Sequence, residues 1–102
     1  MLVYTVRIEA PSEAVRGELL AWLEDDHAAD VVRAGALDAE VTLLDDGALE
    51  CRYRFASREA FEAYEAGPAV ALREDGRARF GPDRGVRMSR TVGELRVQRS
   101  RG

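Results

Sequence analysis

A chain of 102 residues, 46% hydrophobic and 33% charged, is long enough for one packed domain and too apolar for a disordered segment. Its formal charge of −4 offers nucleic-acid phosphate no long-range attraction, and with no Lys and no Asn its Arg-only basic content reads as a coding bias rather than a binding signal. Lone Cys51 excludes an intrachain disulfide and fits a reducing cytoplasm, while Arg7 and Glu9 interrupt the apolar opening and argue against a signal peptide or membrane span.

Leu2 to Glu9 alternates, with Leu2, Tyr4, Val6 and Ile8 on one face, and predicts a strand with one strongly apolar side. Ser12 to Gly35 predicts one long amphipathic helix. Ser12 supplies an N-cap, Val15, Leu19, Trp22 and Leu23 form the apolar stripe, and Gly35 supplies the stop. Asp26 conflicts with that stripe, since an ideal helix places it in line with Leu19 and Trp22. Either the helix bends, the stripe ends at Leu23, or a carboxylate faces an apolar pocket. Leu37, Ala39, Val41 and Leu43 alternate with polar residues in a second strand, and Asp45-Asp46-Gly47 predicts a tight hairpin into a third, Leu49 to Phe55. Ser57 caps a second helix that buries Phe61 and Tyr64, breaks at Gly67-Pro68, resumes through Leu72 toward Phe80, and ends at Gly81-Pro82. Val86, Met88 and Val92 begin a last strand, whose apolar phase shifts to Leu95 and Val97, so a bulge is expected at Gly93.

The order β-α-β-β-α-β predicts an α+β ferredoxin-like fold, with a four-stranded antiparallel sheet in spatial order four-one-three-two and both helices on one face. Residues 1–97 are expected to form the single domain and 98–102 a flexible tail. The outer sheet face would carry Thr5, Arg7, Glu9, Glu40, Thr42, Glu50, Arg52, Arg54 and Arg87. Such a face either meets solvent or packs on a second copy. A nucleic-acid platform needs exposed aromatics there, and Tyr53 and Phe55 fall on the opposite face.

The chain resembles a family of uncharacterised bacterial proteins of the dimeric α+β barrel superfamily, which includes antibiotic-biosynthesis monooxygenases and EthD-like proteins. The resemblance rests on Tyr4, on Trp22 followed by His27, on Ala34-Gly35, Leu72-Arg73, Arg79-Phe80-Gly81 and Arg90-Thr91. The sequence departs from the family pattern at Ala29, where a Pro is usual, and at Leu37 and Ser89, where aromatics are usual. The resemblance implies the fold and a homodimer joined through the sheet faces; it implies no substrate.

His27 with Glu24 or Asp30 offers two metal ligands at helical spacing, but three or four must converge, so no metal is expected. Trp22 reads as core, and Cys51 as a small core residue. The topology brings His27, Tyr4, Phe80 and Leu95 toward one end of the molecule, where an apolar pocket with a polar tip would suit a small ligand. Tyr4, Trp22, His27 and Phe80 are the candidate ligand-binding residues. His27 either faces that pocket or fixes the helix end through a bond to a backbone carbonyl. The expected protein is a cytoplasmic small-molecule-binding or assembly protein without cofactor or membrane contact. The alternative, taken from the resemblance, is a cofactor-independent monooxygenase- or isomerase-like enzyme for a small aromatic or polyketide-like compound.

Overall fold

Strand β1 (Leu2–Glu9) leads into helix α1 (Glu13–Trp22), a π-helical turn over Leu23–His27, and helix α2 (Ala28–Arg33). Strands β2 (Asp38–Leu43) and β3 (Leu49–Phe55) follow, then helices α3 (Arg58–Ala66) and α4 (Pro68–Arg79), a 3₁₀ turn at Pro82–Arg84, and strand β4 (Arg87–Glu94). The computed structural model describes every residue from Met1 to Gly102. The sheet is antiparallel in the order β2-β3-β1-β4, the order the split βαβ pattern predicts.

Both helix starts are capped as expected: Ser12 Oγ accepts from the Val15 N–H at 3.2 Å, and Ser57 Oγ from the Ala60 N–H at 3.1 Å. Gly67-Pro68 divides the second helical stretch, because Pro68 starts α4 at a position where its missing N–H has no partner to lose. The β2–β3 hairpin turns at Gly47, whose φ of +91° is open to glycine, while Asp46 accepts from the Ala48 N–H at 2.9 Å.

The core lies between the helices and one sheet face. Leu2, Tyr4 and Ile8 of β1 and Leu49, Cys51, Tyr53 and Phe55 of β3 are buried there against Leu19, Leu23, Val31, Phe61 and Tyr64. Burying a side chain such as Leu19 or Leu23 contributes roughly 1.5–3 kcal/mol. The register sets Arg54 beside Asp38, Arg52 beside Glu40 and Arg87 beside Glu9 on the outer face, and all three are ion pairs. Tyr53 and Phe55 are buried under the helices, so the outer face carries no aromatic platform.

Four details differ from the sequence expectation. The first helix is not a uniform α-helix: the Ala28 N–H bonds back to the Leu23 carbonyl, five residues earlier, so one extra residue is accommodated at Leu23–His27. Holding α geometry would align Asp26 with Leu19 and Trp22; the wider turn leaves Glu24, Asp25 and Asp26 exposed and returns Val31 to the core. The wider turn spares all three carboxylates the cost of losing their water. Next, β2 begins at Asp38, and Leu37 and Leu43 are exposed, because an edge strand has cover on one side only. The expected bulge at Gly93 is absent: β1 and β4 pair without interruption from Leu2↔Glu94 to Glu9↔Arg87. Finally, the apolar row of β4 is not packed under the helices. Met88 and Val92 are 46% and 44% exposed, because the helices cover β1 and β3 and stop short of this edge.

Candidate ligand cavity

A cavity of about 380 Å³ lies between α4 and the β1–β4 side of the sheet. Tyr4, Val6 and Ile8 form its floor from β1, Leu72, Arg73, Gly76 and Arg77 its α4 wall, and Met88 and Arg90 its β4 edge. Trp22, Leu23 and His27 close one side. Tyr4, Trp22, His27 and Phe80 thus all line the same cavity. Leu95 does not reach it: its backbone N–H bonds to the Met1 carbonyl at 2.8 Å, and its side chain belongs to a shallow groove with Val3 and Thr5.

The π-helical turn determines what His27 can do. Five residues on an ideal α-helix place two side chains about 140° apart. The wider turn instead brings His27 over Trp22, with ring centroids 4.4 Å apart and planes within 21°. Phe80 packs tilted against the indole at 5.4 Å, and Arg84 lies over Phe80. Gly76 lets the indole approach α4, since a Cβ there would stand 3.3 Å from Trp22 Cη2. His27 is half-buried and makes no hydrogen bond to protein, so the bond to a backbone carbonyl near the helix end is absent. Burial lowers its pKa from the ordinary 6.5 against the opposing pull of Asp30 and Asp75, so the surroundings disfavour the protonated ring.

Tyr4 sits between Tyr53 and Phe61, with centroid distances of 5.8 and 5.2 Å. Its hydroxyl oxygen accepts from Arg90 Nη1 at 3.2 Å. Burial raises the Tyr4 pKa, although Arg90 pulls it down, and burial is the main cause that pushes Tyr64 up to about 12, with Tyr4 and Glu65 adding to it, and Cys51 up to about 11. Behind Arg90 stands Glu65. Its Oε2 accepts from Arg73 Nη1 at 2.8 Å, while its Oε1 lies 3.6 Å from Arg90 and has no hydrogen-bond donor. No group of three or more His, Cys, Asp or Glu side chains converges, and Glu24 points to solvent.

Sequence reasoning missed Arg73, Arg77, Arg90 and Glu65. Arg90 had a readable signal, since it interrupts the apolar row of Met88 and Val92. Glu65 and Arg73 meet only because the chain breaks between them at Gly67-Pro68.

Solved structures with this architecture include a dimeric ferredoxin-like protein from an uncultured marine organism, with a TM-score of 0.67 and 10% identity over 98% of both chains. A candidate antibiotic biosynthesis monooxygenase from Deinococcus radiodurans gives 0.73 at 17% identity, over 100% of this chain and 99% of that one. The monooxygenase from the gene ActVA-Orf6 of Streptomyces coelicolor, solved with the ligand nanaomycin D, gives 0.67 at 19% identity over 97% and 92%. No protein-family model matches the sequence, and no curated protein matches it significantly. The chain has the α+β ferredoxin-like fold that these structures share. No helix is long and apolar enough to cross a membrane.

Proposed function

We propose that the protein binds a flat, partly aromatic small molecule in this cavity, with Tyr4, Trp22, His27 and Phe80 as contact walls, and that it works as a homodimer joined through the outer sheet faces. The observation that carries the reading is a space of about 380 Å³ with aromatic sides and an inward-facing, hydrogen-bond-free His27. Unfilled apolar space forfeits dispersion contacts, so it is a cost to a protein that only assembles and an asset to one that binds. The dimer is supported by structural neighbours described as dimeric and by an outer face whose Arg and Glu residues alternate across strands.

Trp22 is the only tryptophan, so its emission reports occupancy of the cavity directly. Titration with naphthols, naphthoquinones and flavonoids should give saturable quenching with at least one compound. Linear quenching by every member of the panel would overturn the reading.

A second reading, a cofactor-independent monooxygenase- or isomerase-like enzyme, is favoured by the place of His27 in the cavity lining, where burial disfavours the protonated ring. An unprotonated ring nitrogen facing a ligand can take a proton from an acidic O–H or C–H group. The fold it shares with a nanaomycin D-binding monooxygenase agrees with this reading. If a quenching compound also exchanges an acidic C–H for deuterium, or consumes oxygen, His27→Ala should abolish the turnover while still binding. Equal turnover in the variant would remove His27 as the base.

A further inference from the structure

We infer that the cavity selects anions, a flat aromatic compound bearing a carboxylate or an ionised hydroxyl, and that Arg90 and Tyr4 receive the charged oxygen. The inference deepens the ligand-binding reading and rests on it.

Charge distribution is the first ground. The chain is acidic overall, at −4, and most of its arginines are matched by carboxylates: Arg7 by Asp46, Arg54 by Asp38, Arg79 by Asp75, Arg84 by Glu18 and Arg87 by Glu9. The cavity reverses the balance. Arg73, Arg77 and Arg90 line it and no Asp or Glu does. Glu65 is the one carboxylate shared by Arg73 and Arg90, it stands behind the wall, and Arg77 has no acidic partner at all. Cationic walls over an apolar floor focus a positive potential into the cavity, because field lines are little screened there.

Donor geometry is the second ground. Arg90 hydrogen-bonds only through Nη1, to Tyr4 Oη, with Glu65 Oε1 3.6 Å from the same nitrogen, and its remaining N–H groups are unengaged. Tyr4 spends its oxygen on that bond, and its own proton has no protein acceptor. Two donors from adjacent strands therefore face the same space, and nothing beside them on the wall is an acceptor of comparable strength. A donor-only pair with one formal charge recognises an ionised oxygen by charge-assisted hydrogen bonds. Glu65 positions both guanidinium groups without presenting its own charge to the ligand.

The test compares two probes of one ring skeleton: anilinonaphthalene sulfonate, an anion, and N-phenylnaphthylamine, which is neutral. Both accept energy from Trp22, so transfer from that residue distinguishes cavity binding from binding elsewhere. The wild-type protein should favour the anion by roughly tenfold, the value of one charge-assisted hydrogen bond. Arg90→Met should erase that preference while leaving affinity for the neutral probe within about twofold, which also shows that the cavity is intact; Arg90→Lys should restore part of it. Equal affinity for the two probes in the wild type, or an unchanged preference in Arg90→Met, would overturn the anion subsite and leave ligand binding standing. Failure of both probes to quench Trp22 would instead count against the ligand-binding reading on which it rests.

Discussion

His27 lies flat against Trp22, 4.4 Å between ring centroids, five residues further along a helix whose regular geometry would hold the two apart. One extra residue in the turn at Leu23–His27 accomplishes this. It moves three consecutive acidic side chains to solvent and an imidazole to the cavity. A π-turn of this kind alters the facing of every residue beyond it, which is why such turns accompany sites.

Deleting Asp25 tests that account. Trp22 and His27 would then be four residues apart, the spacing at which a regular α-helix stacks side chains. The shortened protein should fold with a melting temperature equal to or above that of the parent and should keep its Trp22 emission. Deleting Ala21 instead shifts Leu19 out of phase with Trp22 and should be strongly destabilising. Equal behaviour of the two deletions would remove the π-turn as the device that aims His27.

His27→Ala removes one aromatic contact and no hydrogen bond, so the expected loss of stability is about 0.5–1.5 kcal/mol. The pH dependence has a definite sign. Burial lowers the His27 pKa in the folded chain below its ordinary value of 6.5, so the unfolded state binds the proton more readily. Stability from the neutral ring is therefore complete above 6.5 and is lost as the pH falls from there through the folded pKa. Chemical denaturation at a series of pH values should show this acid-side loss in the wild type and a flatter profile in His27→Ala.

Gly76→Val places a branched side chain where a single Cβ already stands 3.3 Å from the Trp22 indole. Overpacking of this kind typically costs about 1–3 kcal/mol. The substitution should lower the melting temperature and shift the Trp22 emission maximum. An unchanged spectrum would show that the indole does not lean on α4.

Cys51 is 1% exposed, and burial pushes its thiol to about 11. Thiolate is the reacting form, so labelling by a disulfide reagent near neutral pH should be slow and should accelerate on addition of denaturant. Rapid stoichiometric labelling of the native protein would mean that β3 opens locally.

For assembly, light scattering should give twice the 11.3 kDa chain mass, and Arg52→Glu, which sets like charge beside Glu40 at the centre of the outer face, should shift the protein to monomer. A monomeric wild type at micromolar concentration would return that face to solvent.

The alternation in Leu2–Glu9 and Leu49–Phe55, the caps at Ser12 and Ser57 and the breaks at Gly47 and Pro68 were all legible along the chain, because each depends on neighbours within a few residues. With the strand order they determined the fold, down to the sheet order β2-β3-β1-β4. What periodicity could not deliver was any feature that depends on what covers what. Val92 alternates as a buried strand residue does, yet no helix lies over it. Asp26 signalled that the α phase fails, but whether a bend, an ended stripe or an extra residue would resolve it depended on where Trp22 and Val31 had to pack. Glu65 and Arg90 meet across 25 residues of sequence to place positive charge over Tyr4. Local chemistry determined the elements of this protein, and the cavity came from the way α4 and an uncovered β4 leave space between them, which no single stretch of sequence encodes.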